Sequence, residues 1–207
     1  MSLRERKKNA TREALSEAAL RLALEHGAEN VRVDDIAEAA GVSPRTYNNY
    51  FSSREQAIVA AVAAERALRV GAALRDRPAD EPLDVAVIES VVEQYTTEPA
   101  GDALTLITSA PSLRAEFVAT VAGLESPLAS AIVARTGVSD VAAEVLAAAV
   151  SAAARVAVGK WVQPVGALVV VRGVRLADLL REALAHVAPA LRAVKVNSDS
   201  VVGEEPG

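Results

Sequence analysis

AEAAGVSPRTYNNYF, residues 37–51, has the clearest local pattern in the sequence. An alanine-rich segment ends at Gly41. Ser43-Pro44 then begins a new segment with a hydroxyl cap and with proline at the first helical position, where no backbone N–H is needed. Three of the chain's six aromatic residues follow within five positions, interleaved with asparagines. Two short helices joined by a tight glycine turn are predicted here, which is the pattern of a helix-turn-helix.

The second of these short helices carries two kinds of side chain. Tyr47 and Phe51 are four residues apart and therefore share a face, which we predict to be the inward one. The opposite face carries arginine and asparagine, which can hydrogen-bond to guanine and adenine edges in a DNA major groove. The same pattern also suits an ordinary helical corner with a solvated polar face. The predicted outward residues are Pro44, Arg45, Asn48 and Asn49, with Thr46, Tyr50 and Arg54 placed to contact phosphates.

The segments on either side extend the helical pattern. Apolar residues recur at helical spacing over 9–26, and Gly27 ends this first predicted helix. A second helix is predicted over 33–40, with acidic residues in its first turn. Ser52 and Glu55 have the spacing of a capping box that begins a long helix continuing to about residue 75.

The composition predicts an all-α protein and excludes several kinds of site. The chain has 207 residues, 51% of them hydrophobic, and glycine and proline fall mostly in short gaps between helical segments. Cysteine is absent, which rules out disulfides and cysteine-based metal sites. The two histidines, His26 and His186, are far apart in sequence, so neither a metal site nor a cofactor is predicted.

The charge is distributed unevenly along the chain. The formal net charge is −5, yet residues 1–12 carry five basic side chains against one acidic side chain. Residues 71–207 have a net charge of −6. This distribution fits a protein that contacts an anion at one end only. A terminus that merely improves solubility is the alternative.

No targeting or membrane segment is predicted. The N-terminus is charged from residue 4 without an apolar stretch behind it, unlike a signal peptide. Uncharged runs such as 145–154 and 161–171 are shorter than the roughly 20 residues that span a bilayer. We therefore expect a cytoplasmic protein.

Prolines at 78 and 82 mark the start of a second helical region. Helices are predicted over 83–97, 102–109, 112–136, 139–160 and 175–193, and the valine-rich stretch 162–173 is treated as a loop. The predicted domains are 1–55 for the helix-turn-helix and 56–195 for the helical body, followed by a disordered tail over 196–207.

The stretch TREALSEAALRLALEHGAENVRVDDIAEAAGVSPRTYNNYFSSREQAI, residues 11–58, resembles the DNA-binding domain of TetR/AcrR-family transcriptional regulators. The resemblance rests on the opening Thr-Arg, on Gly27, on IAEAAGVS and on Thr46 and Phe51. It implies about nine helices, with an N-terminal three-helix DNA-binding domain and a C-terminal domain for ligand binding and dimerisation. The DNA-binding residues carried over by position are Arg32, Ser43, Pro44, Arg45, Thr46, Asn48, Asn49, Tyr50 and Arg54.

The sequence departs from the family pattern at three positions. Asn48 stands where a phosphate-contacting tyrosine is usual, and Tyr47 where an aliphatic residue or phenylalanine is usual. Arg32 replaces the customary threonine before the second helix, which removes a helix cap and offers a phosphate contact. These changes bear on which DNA sequence is bound rather than on the fold.

The resemblance further implies a homodimer and a small-molecule pocket in the helical body. The apolar composition favours a hydrophobic effector. Arg155 interrupts a run of small apolar residues, and its alternatives are an anionic ligand, an acid across the dimer, or solvent. The predicted ligand-binding residues are Tyr95, Phe117, Arg155 and Trp161.

Three functional classes differ in how much of the sequence they explain. A ligand-responsive repressor that binds a palindromic double-stranded DNA operator accounts for the helix-turn-helix, the basic end and the apolar body together. An enzyme is not supported, because no nucleophile–base pair, metal cluster or phosphate-binding loop occurs. A helical carrier of apolar ligands is the alternative, but it leaves the helix-turn-helix unexplained.

Overall fold

The computed structural model describes residues 2–96, 101–163 and 175–194, and every regular element in these ranges is a helix. The predicted all-α class is therefore confirmed. Short 3-10 turns occupy Ala28–Asn30 and Val121–Leu124. The α-helices are α1 (Leu3–His26), α2 (Val33–Ala39), α3 (Pro44–Tyr47), α4 (Arg54–Asp76), α5 (Leu83–Thr96), α6 (Gly101–Ser109), α7 (Pro111–Thr120), α8 (Glu125–Thr136), α9 (Asp140–Val162), α10 (Leu176–Ala185) and α11 (Ala188–Arg192).

The chain forms two compact units. The first comprises Met1–Arg66 and Glu98–Val121, and the second comprises Ala67–Thr97 and Ala122–Gly207. Helix α4 contributes to both, because the division falls within it. The functional division predicted between residues 55 and 56 stays a prediction.

The first unit is built around α1. This helix packs on α2 and α6, and α2 packs on α3. Gly41 makes the turn between α2 and α3 with φ +69°, a conformation that side chains with a Cβ rarely adopt. The unit's buried side chains include Leu15, Ala19, Ile36, Ala37, Phe51, Ile58, Ile107 and Phe117.

Helix α1 begins six residues earlier than the sequence predicts. The apolar pattern starts near residue 9, but the helix begins at Leu3, and the Arg6 N–H donates to the Ser2 carbonyl at 3.0 Å. Arginine and lysine favour helix even without an apolar face, which explains the extension. The basic end is therefore part of a helix.

Two predicted helices are each interrupted near a proline. The one predicted over 112–136 divides into α7, a 3-10 turn and α8, and Pro127 lies in the first turn of α8. The one predicted over 175–193 divides into α10 and α11, with Pro189 in the first turn of α11. Proline lacks a backbone N–H, and its ring clashes with the carbonyl four residues earlier. The breaks follow from this steric effect.

The second unit packs α9 against α8 and α10, and α5 against α10 and α11. Two ion pairs join α5 to α10 and α11. The Glu89 Oε2 lies 2.9 Å from the Arg181 Nη2, and the Oδ2 of the buried Asp84 lies 2.6 Å from the Arg192 Nε. The turn between α4 and α5 is held by the Arg135 guanidinium, which donates to the backbone carbonyls of Arg77, Pro78 and Glu81.

Two stretches are long and apolar enough to cross a membrane by length and composition, Pro111–Thr136 and Asp140–Val162. Core helices of soluble proteins pass the same test, so this is weak support for a membrane span. Of the predicted loop over 162–173, Val162 belongs to α9 and Gln163 follows it, while 164–173 lie outside the described residues. The tail predicted over 196–207 lies wholly outside them.

Candidate nucleic-acid interface

Helix α3 is a single capped turn. The Ser43 Oγ accepts a hydrogen bond from the Thr46 N–H at 3.1 Å, and the two hydroxyl oxygens are 2.9 Å apart. Pro44 occupies the first turn, where its missing N–H costs nothing. The helix start predicted from Ser43-Pro44 is confirmed.

The chain tightens after Tyr47. The Asn49 N–H donates to the Thr46 carbonyl at 3.1 Å, and the Tyr50 N–H donates to the Tyr47 carbonyl at 2.8 Å. Both bonds span three residues, as in a 3-10 turn, rather than the four residues of an α-helix. Asn48 and Asn49 therefore lie on a tight turn that continues α3, not on the longer helix that the sequence predicts.

The two faces of this segment are those expected from the sequence. Tyr47 is 1% exposed and Phe51 is 2% exposed, with their ring centroids 5.8 Å apart. Thr46 and Tyr50 are half-buried. The outward face presents one guanidinium and two amides to solvent, and their contacts with DNA stay a prediction. Its exposed residues are Ser43, Pro44, Arg45, Asn48 and Asn49.

Arg12 fixes the end of this turn, a role that its position in the sequence does not predict. Its Nη1 donates to the Tyr50 carbonyl at 3.2 Å, and its guanidinium carbon lies 4.6 Å from the Phe51 ring centroid. A cation over an aromatic face is attracted by the ring's negative face. In the sequence Arg12 counted only as one of five basic residues near the N-terminus. The other four, Arg4, Arg6, Lys7 and Lys8, are exposed on α1.

Arg32 and Arg54 differ in what surrounds them. Arg32 is exposed, and its backbone N–H donates to the Asp35 Oδ2 at 3.3 Å, so the carboxylate stabilises the start of α2 without a side-chain cap from Arg32. The Arg54 guanidinium donates to the carbonyls of Glu29 and Val31, at 2.9 and 3.1 Å. Phosphate contacts by either residue stay predictions.

The capping box of α4 lies one residue later than predicted. Ser53 caps the helix, with its Oγ accepting from the Gln56 N–H at 3.1 Å. The Gln56 Oε1 accepts in turn from the Ser52 N–H at 2.9 Å. Glu55, the predicted partner of Ser52, is bound to the Arg54 Nε instead, at 3.0 Å.

Tyr47 should make the protein's stability sensitive to alkaline pH. Its hydroxyl donates to the Ser53 carbonyl at 2.8 Å, and burial, followed by the charge of Glu55, raises the pKa of Tyr47 from about 10 to about 12. The neutral phenol is therefore favoured in the folded state. The contribution of this hydroxyl to the free energy of unfolding is complete below pH 10 and is lost as pH rises from 10 towards 12.

We expect the free energy of unfolding of the wild type to fall by about 1 kcal/mol more than that of Tyr47→Phe between pH 8 and pH 11. Urea titrations at the two pH values measure this difference. Tyr50→Phe is the control and should behave as the wild type does. Equal losses in the wild type and Tyr47→Phe would contradict the prediction.

The four predicted ligand-binding residues are distributed over both units. Phe117 is buried in the first unit, and its ring centroid lies 5.3 Å from the Arg66 guanidinium carbon. In the second unit Tyr95 is buried, Trp161 is half-buried and Arg155 is exposed. A groove of about 880 Å³ lies between α8 and α9. None of the four lines this groove, whose walls include Glu125, Ser130, Val133, Asp140, Glu144 and Val145.

Comparisons with known proteins cover both parts of the chain. Residues 15–62 match the family profile described as bacterial regulatory proteins, tetR family, and residues 81–192 match the MftR C-terminal domain. The HTH-type transcriptional regulator TcmR of Streptomyces glaucescens is 34% identical over 173 residues, which cover 77% of this chain and 76% of that protein.

Two solved structures share the fold. The TetR family repressor AlkX from Dietzia sp. strain DQ12-45-1b, implicated in biodegradation of n-alkanes, is 20% identical with a TM-score of 0.53, covering 89% of this chain and 97% of that one. Thermus thermophilus FadR, a TetR-family repressor in complex with lauroyl-CoA, is 20% identical with a TM-score of 0.52, covering 95% and 98%.

Proposed function

The chain belongs to the TetR family of bacterial transcriptional regulators, and on that premise we propose that it is a ligand-responsive repressor binding a palindromic operator as a homodimer. The observation that carries the proposal is α3, a capped turn with two buried aromatic residues behind an exposed face of arginine and asparagine. A buried anchor fixes the turn, and the exposed donors and acceptors can reach base edges. A regulator bound to DNA acts in the bacterial cytoplasm.

The basic end of α1 supports binding to the DNA backbone. Four exposed basic side chains lie within the first eight residues, and they are carried by a helix. Lysine and arginine attract phosphates and release counterions from DNA, which makes affinity depend on salt. We therefore assign this end to backbone contacts and α3 to base contacts.

Helix α9 supports the homodimer, because it is apolar on two opposite faces. One face packs inside the second unit through residues such as Leu146, Val150 and Val158. The other presents Val141 and Val145, which are 70% and 63% exposed. An apolar helix face is normally buried, so we propose that a second copy covers this one.

The exposed face of α9 is self-complementary when two copies pair antiparallel. With a twofold axis near residues 148 and 149, Val141 lies opposite Val156 of the partner subunit, and small alanines lie at the crossing. Glu144 then lies near Arg155 of the partner subunit. This register favours an ion pair across the dimer over the other interpretations of Arg155.

A charge swap tests this register. Glu144→Arg and Arg155→Glu should each weaken the dimer by about tenfold, because each places like charges together twice per dimer. The double variant should restore most of the loss. Sedimentation equilibrium measures the dissociation constants, with Glu17→Arg, an exposed change on α1, as the control. A double variant that loses as much as the two single changes combined would contradict the pairing.

We propose a hydrophobic effector, in keeping with the apolar helical body. AlkX is implicated in n-alkane biodegradation and FadR binds lauroyl-CoA, and acyl compounds are therefore reasonable first probes. A thermal-shift screen followed by titration with and without operator tests the proposal. An effector that releases DNA must bind more weakly when operator is present, by the same factor. Equal affinity in both titrations would exclude switching.

A footprint on the DNA upstream of its own and the neighbouring gene tests the function as a whole. A repressor should protect two half-sites whose centres are one helical turn, about 10–10.5 base pairs, or a multiple apart. Binding of acyl compounds without protection of any DNA would instead favour the apolar-ligand carrier.

A further inference from the structure

Arg54 directs its hydrogen bonds into the protein. Its Nη1 donates to the carbonyls of Glu29 and Val31 in the loop between α1 and α2, and its Nε donates to Glu55. The guanidinium is planar and offers five N–H donors in a fixed fork, so one side chain can hold two carbonyls and a carboxylate at once. A lysine ammonium would not reproduce this arrangement.

The preceding residue, Ser53, is bound from the other side. Its carbonyl accepts the Tyr47 hydroxyl at 2.8 Å, and Tyr47 is the last residue of α3. Two consecutive residues at the start of α4 are thus bound to the loop before α2 and to α3. These bonds tie the first turn of α4 to both ends of the helix-turn-helix.

We infer that Arg54 is a positioning residue for operator recognition, acting through the orientation of α2 and α3 rather than through a phosphate. The inference rests on the proposed function. Because α3 is only four residues long, few side chains can meet base edges, and a small tilt of the segment displaces all of them. Binding sites need their groups held to within roughly 0.5 Å and 10–20°. The Arg54 bonds supply that constraint from outside α3.

The test compares Arg54→Lys with Arg54→Ala. DNA affinity is measured against operator and against unrelated DNA at several salt concentrations, well below the melting temperature of each variant. Both variants should bind operator about tenfold more weakly, with unchanged affinity for unrelated DNA and an unchanged salt slope. Arg21→Lys and Arg21→Ala, at an exposed position of α1 whose side chain pairs with Glu25, should both bind as the wild type does.

Three results would overturn the inference. Arg54 would be a phosphate contact if Arg54→Lys bound operator with wild-type affinity and the salt dependence of Arg54→Ala had a slope lower by about one. A lower melting temperature with unchanged operator affinity would make its role structural only. Unchanged affinity and stability would give it no role. Failure of the proposed function would give a different result, because the wild type itself would then not distinguish operator from unrelated DNA.

Discussion

Phe51→Ala should lower the free energy of unfolding of the first unit by about 3–5 kcal/mol and remove operator binding. The Phe51 ring is 2% exposed, contacts the Tyr47 ring, and supports the Arg12 guanidinium. Its loss leaves a cavity directly behind α3 and also removes the surface on which Arg12 lies. Helix α3 and the turn that continues it then lose their support on the inner side. Denaturant titration and DNA binding measured on the same samples test both effects.

Phe117→Ala provides a matched control for this change. Phe117 is also 2% exposed and lies in the same unit, but on α7 rather than behind α3. We expect a comparable loss of stability, while the protein that remains folded keeps its operator affinity. If Phe117→Ala removed DNA binding as completely as Phe51→Ala, the effect would be one of general unfolding, and the special role of Phe51 would be wrong.

Arg45→Ala should weaken operator binding by about 1–3 kcal/mol and relax the preference at one base pair in each half-site. Arg45 is exposed on α3, next to the proline at the helix start, where side chains reach base edges in helix-turn-helix complexes. Its guanidinium can bridge the two acceptors of guanine. Competition binding against single-base variants of the operator measures the change. An equal loss across all sequences would make Arg45 a phosphate contact.

The local signals around α3 were sufficient to predict its start, the turn before it and its inward face, but not its length. Ser43-Pro44 marks the helix start because both the hydroxyl cap and the proline ring act within one turn. Gly41 marks the turn because its φ of +69° is a conformation that residues with a Cβ rarely adopt. The inward pair Tyr47 and Phe51 follows from helical spacing. Each of these features depends on residues close in sequence.

Features that depend on distant parts of the chain were not predictable. Arg12 was counted only as one of the basic residues near the N-terminus, and Arg54 was predicted from its position to contact a phosphate. Their partners include backbone carbonyls of residues 23 to 38 positions away, and a carbonyl has no signature in the sequence. Arg135 is a similar case, since the three carbonyls it holds lie more than fifty residues earlier.

The predicted starts of α1 and α4 were wrong for a different physical reason. The start of α1 at Leu3 was missed because its charged first turns have no apolar periodicity. The shifted cap of α4 was missed because two adjacent serines precede two adjacent acceptors, and either pairing satisfies the capping rule. Here Glu55 pairs with its neighbour Arg54, and Gln56 is left as the acceptor that completes the cap.

Selection from a random pool of duplex DNA decides whether α3 recognises a specific DNA sequence. Wild-type protein and Arg45→Ala are applied in parallel. The wild type should enrich an inverted repeat, and Arg45→Ala should enrich the same repeat without preference at one position in each half-site. If the wild type enriched no sequence, or if both proteins enriched the same sequence with the same preferences, the claim would be contradicted.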